Sequence, residues 1–237
     1  MDTTTSLIVI AFAALIHASF QLSVSVLTLL SGHSLGLNRS HAHITRMTSS
    51  FVIGSGIMTA LLLSFVSLVL VNLFGFDAPK IIWAAGCGLL VGVAISVWLF
   101  YFRRSTGTTL WIPRAMAEYL TNRTKATKLS AEAFGLGLSS VIAEILFIIA
   151  PLFISSLVLI TLPPSMQLIG IAMYTTISIL PLITIWGIIG SGHKISHVQR
   201  WRESNKGFMQ FSAGAGLVVL GIFVFVNEIL ANIPGVV

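Results

Sequence analysis

Six long apolar runs alternate with short polar connectors along the chain, at roughly Leu7–Leu30, Ser50–Phe74, Ile81–Phe102, Ala133–Leu162, Leu168–Ile189 and Phe208–Leu230. A run of about 20 apolar residues is what a helix needs to cross the hydrocarbon core of a bilayer. Inside lipid the backbone must satisfy its own hydrogen bonds, which leaves helices or a closed barrel. The runs are continuous and do not alternate every second residue, which favours helices over a barrel. The pattern predicts an all-α, polytopic membrane protein with six transmembrane helices. The flank Met1–Thr5 has no Lys or Arg, and the first run is too long for a signal peptide, so it is expected to stay as a helix.

The longest connector runs from about 105 to 130. Within it Ile112, Ala115, Met116, Tyr119 and Leu120 recur at helical spacing, while Arg114, Glu118 and Arg123 project elsewhere. Pro113 suits a helix start. The spacing predicts a short amphipathic helix, either lying at the membrane interface or serving as an ordinary connector.

Composition agrees with the span pattern. The chain has 237 residues, 56% hydrophobic and 8% charged, with mean hydropathy +0.98. That charge content is too low to cover a water-facing surface. The net charge of +6 would point to nucleic acid in a soluble chain. Here the basic residues have a topological meaning, and no nucleic-acid partner is expected. Twelve of the 13 Lys and Arg fall in the connectors after spans one, three and five, from Arg39 to Lys206; the exception is Lys80. The positive-inside rule puts those loops in the cytoplasm and both termini outside. The expected location is the cell membrane, with the basic loops touching anionic lipid head groups. Trp201, between Arg200 and Arg202, fits an interface anchor. The single cysteine, Cys87, rules out an intrachain disulfide or a Cys-rich metal cage.

An internal echo divides the chain. Span three carries Ala85-Gly86-Cys87-Gly88-Leu89 and span six carries Ala213-Gly214-Ala215-Gly216-Leu217, each followed by another glycine. Sliding span one onto span four sets Gln21 opposite Glu144 and His17 opposite Ser140. A three-span unit repeated once must be inverted, an arrangement used by transporters with midplane sites. The expected organisation is one membrane domain over 1–237: repeat one about 6–104, the interface segment about 105–130, and repeat two about 131–231. Glycine-rich packing faces also arise independently, and Gly88 with Gly92 reads as a GxxxG packing pair.

The candidate chemistry centres on Glu144, deep in the apolar stretch Leu136–Leu162. A carboxyl at such depth is costly unless neutral, paired or facing a polar cavity. Gly137, Ser140, Pro151 and Ser155 fall on its face of a continuous helix. Pro151 removes a backbone donor and is expected to break the helix, freeing a carbonyl near Phe147. Span one offers a matching polar face of His17, Gln21, Ser25 and Thr28. His17 and Glu144 could form a proton-carrying pair or two ligands to a cation. Too few other ligands lie at that depth for a dedicated metal site, and no cofactor is expected. The loop histidines His33, His41, His43, His193 and His197 read as solvated, although His193 and His197 stand at helical spacing. No nucleotide-binding or hydrolase motif is present.

Six helices in two inverted triplets, with Gly-rich third and sixth spans, resemble the lysine-exporter (LysE) superfamily. This group holds small exporters of amino acids and metal ions, and the CcdA-like carriers of thiol electrons. The resemblance implies a small membrane transporter. The CcdA-like members carry a cysteine in helix one and another in helix four; Phe12–Thr28 and Phe134–Pro151 contain none, which argues against electron transfer.

The sequence therefore leads to a small secondary transporter, an exporter of a small solute or cation coupled to protons, and not to an enzyme. Its site would lie between helices one and four, with Glu144, His17, Gln21, Ser140 and Pro151. The alternative is a non-transporting assembly or partner-binding membrane protein in which Glu144 is a structural interhelical contact.

Overall fold

The computed structural model describes residues 1–20, 22–36, 40–101, 114–191 and 196–231. Every regular element among them is a helix. In chain order these are α1 (Thr3–Ser19), α2 (Leu22–Gly36), α3 (His41–Phe74), α4 (Lys80–Phe100), α5 (Arg114–Ala126), α6 (Ser130–Ala143), α7 (Ile145–Thr161), α8 (Pro164–Ser178), α9 (Leu180–Gly190), α10 (Ser196–Ser204) and α11 (Lys206–Val224), which continues as a π-helical turn over Phe225–Leu230.

Three of these are long and apolar enough to cross a membrane unaided: α3, α4 and α11 with its continuation. Three further stretches pass the same test only as bent pairs. The bends are 47° between α1 and α2, 79° between α6 and α7, and 50° between α8 and α9. If each pair is one span, the described residues hold six candidate spans, in the places the apolar pattern put them.

Each bend is marked in the backbone. Phe20 leaves α1 in an extended conformation, with φ −78° and ψ 144°. Ile179 takes φ −93° and ψ 3°, and Pro181 then opens α9 where a missing N–H does no harm. Glu144 itself takes φ −86° and ψ −6° between α6 and α7. This corrects the expectation for Pro151. The proline lies inside an unbroken α7, and the break falls at Glu144. The bend coincides with the carboxyl-bearing residue and not with the missing proline donor. It also splits the face expected to run from Gly137 to Ser155.

The connectors differ from expectation as well. Ser40 caps α3 by accepting the His43 N–H at 3.3 Å, so the helix begins at His41, well before Ser50, and the segment read as loop is its first turns. Gly75, at φ 73°, ends it in a conformation that favours glycine. Helix α5 packs on α2 and α6. Leu120 is buried and Met116 half-buried, but Ala115 and Tyr119 are exposed, and Ile112 lies outside the described residues. The expected apolar face is thus only partly turned inward.

The bundle is built around α7, where twelve residues from Phe147 to Ile160 are buried. It is flanked by α1, α3, α4 and α8. Outward-facing Ile53, Ile57, Leu61, Phe65 and Leu68 on α3 form an exposed apolar stripe of the kind that lipid covers. The tightest seam joins α3 and α6. A Cβ at Gly54 would strike the Phe134 carbonyl, and one at Gly137 would strike the Phe51 carbonyl. Gly88 and Gly92 do not pack as expected: nothing lies within 4 Å of where either Cβ would sit. In α4 and α11 the glycines in tightest contact with a neighbouring helix are Gly86, against Phe153 and Ile154, and Gly214, against the Trp98 indole. Gln210 ties α11 to α4 by donating to the Val97 and Trp98 carbonyls at 2.6 and 2.9 Å.

Two contacts relate the ends of the helices. The Met1 ammonium pairs with Glu228 Oε1 at 3.3 Å, so the first residue and the end of the last span share one end of the bundle. His41 Nε2 lies 3.0 Å from the Gly190 carbonyl oxygen, which brings the start of α3 and the end of α9 together.

Candidate functional site

The three bends meet. A small cavity of about 20 Å³ is lined by His17 and Phe20 from the first bend, Val141 and Glu144 from the second, and Ser178, Ile179, Pro181 and Leu182 from the third. Ser23 and Val24 of α2 and Ser55 and Thr59 of α3 complete it. Its size suits about one water molecule.

Glu144 is 3% exposed and has defined partners. Oε1 accepts the Leu22 backbone N–H at 2.8 Å and Oε2 accepts the Ser23 hydroxyl at 3.0 Å. Leu22 is the first residue of α2, so the carboxylate caps that helix from across the bundle. The first N–H groups of a helix have no partner within it, and the N-terminal end of the macrodipole favours an anion. The α1–α2 break thus supplies the donors, and the α6–α7 break delivers the acceptor.

The other walls present oxygen. Ser55 Oγ donates to the Gly137 carbonyl at 3.3 Å, Thr59 Oγ1 to Ser55 at 3.0 Å, and Ser178 Oγ to Thr175 at 2.9 Å. Each hydroxyl gives its proton to a backbone carbonyl and keeps lone pairs for the cavity. One carboxylate with several hydroxyl oxygens is a set that takes a proton, a water or a hard cation.

The five residues expected at the site are not all brought together. His17 and Glu144 line the same cavity, but the His17 partner is the Tyr174 hydroxyl, 3.1 Å from Nδ1. Ser140 is buried and donates to the Gly137 carbonyl at 2.8 Å, away from the cavity lining. Pro151 is buried within α7, two turns beyond the bend. Gln21 lies outside the described residues. Among the described residues no three of His, Cys, Asp and Glu gather to hold a metal. His193 is outside the described residues, and His197 is exposed on α10.

Sequence reasoning missed Tyr174, Ser23 and Arg202. Tyr174 is fully buried and fixes His17 across the α1–α8 interface; its only sequence signal is the polar run Tyr174-Thr175-Thr176 within an apolar span. Arg202, read only as a topology determinant, is 3% exposed, and its Nη2 donates to Ser25 Oγ at 2.8 Å. An aromatic cluster of Phe20, Tyr101 and Phe147, with ring centroids 4.9 to 5.8 Å apart, packs beside the first bend.

Comparison with protein-family models, with curated proteins and with solved structures gives no match. The site is accordingly read from its own chemistry.

Proposed function

We propose that the chain is a small secondary membrane transporter, an exporter of a small solute or cation coupled to protons, with Glu144 as the carboxylate that takes the proton or cation. The observation that carries this reading is the meeting of three broken spans around one buried carboxylate. Broken spans with half-helix termini at mid-membrane are how transporters build ion and substrate sites. Irregular backbone at that depth is tolerated where it is buried in protein or lines a cavity. His17 shares the cavity and is the second group able to move a proton there.

The inverted repeat belongs to the same proposal. The alignment of Gln21 with Glu144 sets the bend of span one opposite that of span four. The α3–α6 contact has its counterpart in α1–α8, and α4 packs directly on α11. Span five is bent where span two is straight, so any symmetry is partial. The lysine-exporter-like family, the cell membrane and termini on the non-cytoplasmic side complete the reading, with a lipid bilayer and a small solute or cation as partners. The Met1–Glu228 contact supports placing both termini on one side.

One observation favours a second reading. Both carboxylate oxygens of Glu144 already have protein donors, which a purely structural interhelical contact in an assembly or partner-binding protein would also require. The two readings part at Glu144→Gln. The full chain in proteoliposomes with an internal pH dye is challenged with sodium chloride, potassium chloride and a panel of small amines. Transport predicts a solute-dependent pH change that Glu144→Gln abolishes while the protein stays monodisperse. The same pH change in both proteins would refute the role of Glu144. No change with any solute, together with a stability loss in the variant, would favour the structural reading.

A further inference from the structure

Helix α10 lies outside the bundle, yet one of its side chains reaches inward. Along Ser196–Ser204 every residue is exposed except Val198, which is half-buried, and Arg202, which is buried. The guanidinium donates to Ser25 on α2 and interacts electrostatically with Tyr101 and Glu144. Burial pulls Arg202 below its ordinary pKa, and those two groups pull it back. A buried guanidinium is expensive unless an opposite charge compensates it. Among the described residues Glu144 is the only buried carboxylate; the two side chains make no direct ion pair, but the Leu22 N–H that Glu144 caps lies one turn before Ser25 on α2.

The space around Arg202 gives its position a meaning. A groove of about 430 Å³ runs between α2, α9 and α10, lined by Ile185, Ile188, Val198 and Trp201 among others. Arg202 borders it. Val24 and Pro181 line both this groove and the Glu144 cavity, so they form the wall between the two. The groove lies on the side of the basic connector that carries α10.

We infer that Arg202 is a tethered counter-cation of Glu144 that, from the groove, holds the Val24–Pro181 wall shut toward the basic-loop side and exchanges with a transported monovalent cation. This rests on the transport reading above. The cavity holds one carboxylate, so it has one charge to compensate. With Arg202 in place, a second cation would leave the site with excess positive charge in a low dielectric. With Arg202 withdrawn, the buried carboxylate must take a cation or a proton to remain neutral. The exchange therefore ties opening to loading. A divalent ion would leave the single-carboxylate site charged, which disfavours it. Withdrawal asks little of the fold, because α10 rests on the outside and packs against α11 alone among the described helices with more than marginal contact.

The test needs no knowledge of the substrate. Cys87→Ala removes the one native thiol, and Ser178→Cys places a reporter in the cavity wall. The full chain in liposomes is exposed, on the basic-loop face, to a membrane-impermeant maleimide. With Arg202 the reporter should label slowly. Arg202→Gln should raise the rate at least tenfold, and Arg202→Lys should largely restore protection. Ser25→Ala, which removes only the acceptor, should raise it severalfold and serves if Arg202→Gln does not fold. Unchanged labelling in the folded variants would overturn the inference. Labelling is independent of flux, so the two readings fail separately. Glu144-dependent flux with unchanged labelling removes the latch alone. Fast labelling without flux in any variant keeps Arg202 as the closing counter-cation and removes its exchange with a transported cation together with the transporter.

Discussion

Adding one methyl group to Gly137 should destabilise the protein, and adding the same methyl to Gly88 should not. At Gly137 the new Cβ would meet the Phe51 carbonyl and the Ser55 amide of α3, which are backbone atoms of a facing helix. Overpacking costs about 1–3 kcal/mol where side chains can move aside. Here two long helices must separate instead, so the upper end, about 3 kcal/mol, applies. Replacing glycine by alanine within a helix returns about 0.5–1 kcal/mol. The net loss is about 2 kcal/mol, some 30-fold in the folded-to-unfolded ratio. Gly88 faces open space, so Gly88→Ala keeps only the favourable term and should gain about 0.5–1 kcal/mol. Both variants can be unfolded by SDS in mixed micelles and followed by far-UV circular dichroism. The α3–α6 seam also carries Ser55, whose hydroxyl bonds the Gly137 carbonyl and lines the Glu144 cavity. Any flux should therefore fall with Gly137→Ala. A Gly137→Ala protein as stable as Gly88→Ala would refute the close approach of α3 and α6.

Pro151→Ala should leave the bend in place and retain flux, because the break belongs to Glu144. Relief of an interior helical proline outweighs the lost apolar contact, and stability should rise by about 1–2 kcal/mol in the same SDS titration; loss of flux would return the functional break to the proline. Ser23→Ala removes the donor to Oε2 but leaves the Leu22 cap on Oε1, so it should cost about 1 kcal/mol. Its flux should fall further than its stability, and wild-type flux would refute a role for this hydroxyl in charge transfer.

The number and place of the apolar runs were legible because hydrocarbon imposes one requirement, length without charge, on every span. Glu144 stood out for the same reason: burial of a carboxyl is costly, and the sequence shows that cost directly. What it did not show were the bends. A proline signals a missing donor, so Pro151 attracted the break, whereas the proline that stands at a bend is Pro181, at the start of α9. The bend at Glu144 depends on donors 122 residues earlier in the chain. No local pattern carries such information. Gly88 and Gly92 failed in a similar way. Spacing shows that two glycines share a face, but not whether that face meets a helix or open space. Arg202 was hidden because the positive-inside rule explains every loop cation at once and so singles out none.

The geometry gives the two oxygens of Glu144 unequal roles. Oε1 accepts from a backbone N–H, which can only donate. A proton placed there would meet another donor. Oε2 accepts from a serine hydroxyl, which can rotate and accept instead. A proton can therefore enter on Oε2 while the Oε1 bond to α2 survives. Hydrogen bonds to a charged acceptor are about twice as strong as neutral ones, so the surviving cap would weaken on protonation without being lost. The carboxylate joins the breaks of spans one and four, and a change in its charge alters how firmly they are joined. A purely structural contact gains nothing from this asymmetry. A carrier needs it, because the group that takes the proton must also change the way the helices around it are held.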